Sequence, residues 1–363
     1  MQTKYDILSP DRHSGREADT VTKKRNRKIL TIVFYFVVLG LTLWYVFQDE
    51  NLSQVMQYLS EAKNSWVGAG VAAVVVFILG ESVVLCYLLR SLGTRARFGH
   101  CCLFSFVGFF YSAITPSASG GQPMQVLYMR RDGIPAAVST VVLAIITITY
   151  KSVLVFIGLM ITIFRPQRVM ACLADVEPLL YIGMGLNVIA ITLLLLAVFK
   201  PSLLERFAGW LLRLVQRVRP FQDPQKVMQR VQSSLSQYRG TAAFFKKEPR
   251  IILTVFLITL VQRFCMFSVA WFTYRAFGLS GESAVTVVLL QALISVAVDM
   301  LPLPGGMGIS ETLFTAIFTP VFGPDFVLPG MILCRGISYY TELLLSAAMT
   351  VVAQIFFRKK EPK

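Results

Sequence analysis

Two stretches decide how this chain is read: Thr115-Pro116-Ser117-Ala118-Ser119-Gly120-Gly121-Gln122-Pro123 and Leu301-Pro302-Leu303-Pro304-Gly305-Gly306-Met307-Gly308-Ile309-Ser310-Glu311. Each interrupts apolar sequence with proline, paired glycine and hydroxyl residues, which end helices and open turns. The apolar runs beside them, 101–115, 124–129, 283–299 and 312–322, fall short of the roughly 20 residues that cross hydrocarbon at about 1.5 Å per residue. They read as two pairs of half-helices sunk in a membrane. Irregular backbone survives at that depth only where protein or a polar cavity covers its N–H and C=O groups.

The composition agrees with a membrane. Apolar residues make up 55% of the 363 and charged residues only 15%, against about 25% in a soluble domain. With a mean hydropathy of +0.63, the chain lacks the polar residues to coat a soluble surface. That excludes a soluble two-domain enzyme, a disordered chain and a collagen-like one. The six cysteines form no CxxC pair and there are two histidines, so neither a zinc site nor a haem attachment is expected, and no cofactor. The net charge of +15 suggests either nucleic acid or cytoplasmic loops beside anionic lipid, and the placement of the charges favours the loops.

Residues 1–28 carry eight Lys/Arg and read as a basic cytoplasmic tail. The membrane domain is 29–357, and 358–363 is a second cytoplasmic tail. Full spans are expected at 29–47, 66–89, 136–164, 179–199, 251–276 and 329–357. The first broken pair is flanked by Arg90, Arg95, Arg97 and by Arg130-Arg131, so it enters from the inside. The second lies in a stretch with no Lys or Arg between Arg275 and Arg335, so it enters from the outside. Residues 201–250 hold ten Lys/Arg against three acids and read as an amphipathic cytoplasmic or interfacial segment. One helix is expected over 203–218, on the membrane surface, and a second from Asp223-Pro224 to about Tyr238. The expected fold is an all-α integral membrane protein with six full spans, two oppositely oriented re-entrant hairpins and both termini inside. Eight or more nominal spans remain open.

Inverted broken helices are the usual pointer to a transport site near the bilayer midplane, where half-helix N-termini offer free N–H groups to anions. Charges inside apolar sequence mark the same region, each costing about 2.5–3.5 kcal/mol at mid-helix. Lys151, Arg263, Arg335 and Glu342 lie within spans, Glu81 lies in the second, and Asp299 and Glu311 flank the second break. They either pair with one another and lock the bundle, or line a polar cavity in which the cations meet a lipid phosphate. The residues alone leave both readings standing. No nucleophile elbow, phosphate loop or catalytic histidine pair competes with them.

The motif 115–123 followed by Arg130-Arg131-Asp132-Gly133-Ile134 resembles the first signature of the lysylphosphatidylglycerol synthase transmembrane (flippase-like) family. The 301–311 stretch with Arg335 downstream looks like its second signature, and the resemblance covers roughly 30–357. Carried over by position, it implicates Pro116, Gly120, Gly121 and Gln122, then Pro304, Gly305, Gly306, Gly308, Glu311 and Arg335. Ser117 and Ser119 stand in the first motif between those residues. The family includes the membrane half of the multiple peptide resistance factor. The resemblance therefore implies a phospholipid translocator of the bacterial plasma membrane handling lysylphosphatidylglycerol or a related lipid. Its action would lower negative surface charge and confer resistance to cationic peptides. Where many members carry an acidic residue and arginine, this chain has Tyr150-Lys151. Nothing after residue 357 could form the soluble synthase domain, so lysyltransferase chemistry is not expected of the chain on its own. A membrane component of aminoacyl-phospholipid synthesis, or a scaffold, is the alternative. The partners admitted are membrane phospholipids, a separately encoded aminoacyl-lipid synthase and a second copy of the chain, but no nucleic acid.

Overall fold

The computed structural model describes residues 57, 60–115, 118–173, 176–200, 224–301 and 308–358. The expected tail 1–28, the first span 29–47, the surface helix 203–218, Pro116, Ser117, Pro304, Gly305, Gly306 and the residues after 358 lie outside that set.

Every described element is helical. In chain order they are α1 (Asn64–Ser91), α2 (Phe98–Ala113), α3 (Gly121–Arg131), α4 (Ala136–Phe164), α5 (Gln167–Cys172), α6 (Glu177–Phe199), α7 (Pro224–Lys247), α8 (Pro249–Ala276), α9 (Ala284–Val298), α10 (Ile309–Phe322), α11 (Pro324–Arg335) and α12 (Thr341–Arg358). A π-helical turn, Gly336–Tyr340, joins α11 to α12, so 324–357 runs as one long segment. Among the described residues, five segments are long and apolar enough to cross a membrane: α1, α4, α6, α8 and α11–α12. Four begin and end within a few residues of the expected spans. The last begins at Pro324 rather than 329, because Pro329 sits near the start of the helix, where its missing N–H deprives only a first-turn carbonyl.

Helices α2 and α3 form a hairpin whose base is closed by His100 Nδ1 and Asp132 Oδ2, 2.6 Å apart. Helices α9 and α10 form the other. At its base Arg168 of α5 donates through Nε to Glu282 at 2.6 Å and through Nη2 to the Pro320 carbonyl at 3.3 Å. The hydrogen bond and charge of Glu282 raise the Arg168 guanidinium above its ordinary pKa. The short helix α5 was not anticipated in the 165–178 connection.

One apolar cluster joins the C-terminal ends of α1, α3, α6 and α12 to the N-terminal ends of α2, α4 and α8. Helix α7 docks into it through Tyr238, Ala242 and Phe245, which lie at helical spacing, and Tyr238 Oη donates to the Ala197 carbonyl at 3.1 Å. This docked face carries α7 to Lys247, past the expected stop near Tyr238. The part of α7 around 238–245 is thus packed against the bundle. The same end bears Arg90, Arg130, Arg131, Lys246, Lys247 and Arg250, whereas at the other Arg165 pairs with Glu177 and Arg168 with Glu282, beside Arg275 and Asp325.

Candidate functional site

The first hairpin is held close by glycine. A methyl group at Gly121 would collide with Ser112 Oγ and stand 2.7 Å from the Gly108 carbonyl oxygen, and one at Gly108 would collide with the Gln125 amide. Small residues at the crossing let α2 and α3 approach at backbone distance. The Gly120 N–H donates to Thr115 Oγ1 at 2.9 Å, so it is satisfied inside the turn instead of standing open to an anion. Gln122 reaches across to α4 and donates to Thr147 Oγ1 at 2.5 Å. Ser119 lies in the turn with Ala118, whose φ of 52° places it in the left-handed region that a β-carbon disfavours.

The second hairpin is anchored by ions. Gly308, at φ +87°, caps α10, and its N–H donates to Glu311 Oε2 at 2.7 Å. The other carboxylate oxygen of Glu311 receives Arg335 Nε at 2.7 Å and Nη2 at 2.6 Å, and Arg335 also donates to Ser310. Arg335 thus holds the start of α10 against α11. The π turn that follows brings Tyr339 round so that its Oη donates to the Ala113 carbonyl at 3.0 Å, tying the end of α2 to the same region. Seven residues apart, Arg335 and Glu342 share a face on the expected α-helical count. The π turn alters that register, and the ion pair of Arg335 is with Glu311.

Between the hairpins stands Lys151, near the middle of α4. Its Nζ donates to Asp299 Oδ2 at 2.6 Å, to Asn187 Oδ1 at 3.4 Å and to Met300 Sδ at 2.9 Å. All three ammonium donors are therefore engaged. Tyr150 Oη donates to the other oxygen of Asp299. The Arg263 guanidinium lies over the Tyr150 ring, 3.7 Å from its centroid, with the Phe77 ring 4.9 Å away. Rings held this close stabilise a cation by about 0.5–2 kcal/mol. Gln262, the preceding residue, donates to the Phe77 carbonyl at 2.9 Å and to Glu81 Oε2 at 3.3 Å.

These groups line two adjoining cavities. One, of about 310 Å³, is bordered by Glu81, Ser105, Gln122, Gln125, Lys151 and Arg263 among others. The second, of about 330 Å³, is bordered by Gln291, Ser295, Ser310, Arg335, Tyr339 and Glu342 among others. Ser112, Ala118, Tyr150 and Asp299 border both, and so form the wall between them. The first cavity takes Leu143, Ile146 and Thr147 from the N-terminal half of α4, and the second takes Met266 and Phe267 from the C-terminal half of α8. Ser105, Gln125 and Ser112 were not singled out in the sequence. The one signal for Ser105 and Ser112 is a spacing of small or polar residues, Ser105, Gly108 and Ser112, along one face of an apolar helix. Among the described residues no cluster of His, Cys, Asp and Glu could hold a metal ion.

The arrangement is a polar, charged interior in a helical membrane bundle, and related proteins place it in a family. The chain is 27% identical over 293 residues to a UPF0104 membrane protein of Archaeoglobus fulgidus, covering 76% of this chain and 84% of that one. It is 23% identical over 257 residues to a UPF0104 membrane protein of Pyrococcus horikoshii, covering 68% and 74%. Residues 30–346 match the family described as the lysylphosphatidylglycerol synthase TM region. By that match, spanning most of its length and both glycine-rich breaks, this multi-pass membrane protein belongs to the lysylphosphatidylglycerol synthase TM family.

Proposed function

We propose that the protein is a phospholipid translocator that passes a headgroup through the two cavities while the acyl chains stay in the bilayer. The observation that carries this reading is the pair of adjoining charged cavities, both bordered by Ser112, Ala118, Tyr150 and Asp299. A polar chamber within apolar helices is costly to maintain, and a headgroup is the polar cargo a membrane supplies. The basic end of the bundle faces the cytoplasm, by the excess of Lys and Arg there. The two hairpins then enter from opposite faces, and the cavities are exposed in turn as Tyr150 and Asp299 part.

Glu81, Asp299 and Glu342 border the cavities with Lys151, Arg263 and Arg335, and a fourth carboxylate, Glu311, pairs with Arg335. Such a site suits a headgroup that carries a phosphate and an excess of ammonium groups. Lysylphosphatidylglycerol or a related aminoacylated lipid has that character, and the family description points to the same lipid. In a bacterial plasma membrane its outward movement would lower negative surface charge and blunt cationic peptides.

The test is translocation in proteoliposomes. Lysylphosphatidylglycerol placed in the inner leaflet is expected to become reactive to an external amine reagent in vesicles holding the protein. Empty vesicles and the Arg263→Gln variant should stay slow. Wild-type vesicles no faster than empty ones would remove the reading. The family description also names a synthase, so the same preparation should be given lysyl-tRNA. Product formed by the purified chain would favour an enzymatic role instead.

A further inference from the structure

We infer that Ser105, Gln125 and Arg263 form an oxyanion subsite in the smaller cavity, fitted to the phosphodiester of a lipid headgroup. This rests on the translocator reading and adds to it the atoms that would grip the cargo.

Of the three cations within the bundle, two are spoken for. Lys151 is paired with Asp299 and Arg335 with Glu311. Among the described residues Arg263 has no carboxylate within ion-pair distance, and its Nε is buried without a hydrogen-bond partner. One more group on the same cavity wall shares this condition. Ser105, fully buried, has a hydroxyl with no partner, whereas Ser82, Thr149 and Ser152 donate to the carbonyl four residues back. Gln125 is 6% exposed and its amide makes no hydrogen bond among the described residues. Buried polar groups are nearly always paired, and an unpaired one costs about 1–3 kcal/mol. Two such groups and the amide of Gln125, on one cavity wall, are a prepared set of donors: a hydroxyl, a guanidinium and an amide NH₂. Gly108 belongs to the same device, because only a residue without a β-carbon leaves room for the Gln125 amide.

Donors of three kinds and a positive charge select an oxyanion. Glu81 on the same wall opposes a bare multivalent anion and tolerates a phosphodiester, which carries one charge. A phosphodiester on a lipid and free inorganic phosphate share this chemistry, and the experiment separates them.

The full chain is purified in mild detergent, and binding is read by native mass spectrometry and thermal shift. The probes are phosphatidylglycerol, diacylglycerol (the same tails without phosphate) and inorganic phosphate. Wild type should bind phosphatidylglycerol and not the other two. Gln125→Leu and Ser105→Ala should each weaken that binding about tenfold, the scale of one hydrogen bond to a charged group. Gln125→Glu, the same shape with a repelling charge, should weaken it further. Thr350→Val, which removes another unpartnered buried hydroxyl away from both cavities, should change nothing. Gly108→Ala is the second approach to the same amide, and it should mimic Gln125→Leu.

Phosphatidylglycerol binding that is equal in wild type and all these variants would overturn the subsite while leaving translocation intact. Equal binding of diacylglycerol would overturn it too. Inorganic phosphate bound in place of lipid, with the same sensitivity to Gln125→Leu, would overturn the lipid assignment. Loss of translocation by wild type, in the vesicle assay above, would strike the translocator reading separately.

Discussion

At the scale of single residues, Lys151 and Asp299 each supply the other's opposite charge. Taking one partner from a buried ion pair leaves an uncompensated charge and costs about 3–5 kcal/mol, whereas removing both is often close to neutral. Lys151→Met should therefore lower the thermal unfolding temperature of the purified protein sharply. Lys151→Met with Asp299→Asn should recover most of the loss. A double variant no more stable than the single one would mean that Lys151 acts through Asn187 and Met300 instead. The charged residues stood out in the sequence because each interrupts an apolar run. Their pairing did not, since Lys151 and Asp299 are 148 residues apart and only the packing of α4 against the end of α9 brings them together. Ser105 was less legible still. A serine in an apolar helix ordinarily satisfies itself on the preceding turn, and nothing in the sequence marks the one that does not.

At the scale of elements, glycine positions separate packing from propensity. Gly183 and Gly185 both lie in α6. A methyl group at Gly183 would meet the backbone of Val296 and Ala297 in α9, with nothing flexible to yield, while one at Gly185 meets open space. Alanine gains about 0.8–1 kcal/mol over glycine inside a helix when nothing is in the way. Gly185→Ala should therefore raise the unfolding temperature and Gly183→Ala should lower it. Equal shifts for the two would mean that α6 and α9 do not cross as described. The long helices were legible because hydropathy and length alone define them. The π turn at 336–340, the docking of α7 and the helix α5 depend on tertiary contacts, which periodicity in one segment does not carry. The glycine motif at 120–121 was recognisable, but the packing that it serves was not. Gly121 serves close backbone approach and the Gly120 N–H is bonded to Thr115 inside the turn.

At the scale of the whole molecule, the basic end of the bundle makes sidedness measurable. Lys246 and Lys247 are both exposed at that end, in the last turn of α7. Trypsin should cleave there in inverted membrane vesicles and spare the site in right-side-out ones. Cleavage in right-side-out vesicles alone would invert the proposed orientation, and with it the assignment of each cavity to a face.

The thinness of the wall at Tyr150 and Asp299 has an electrical consequence. A bilayer drops its voltage across about 30 Å of hydrocarbon. With water filling both cavities, that drop would be compressed onto the contact of one phenol with one carboxylate. Each elementary charge moved past it does about 2.3 kcal/mol of work per 100 mV, whatever the distance travelled. A headgroup shifting by a few ångströms would then register as charge carried across the entire membrane. Cargo of net charge should leave a transient capacitive current as it passes, and cargo without net charge should pass silently.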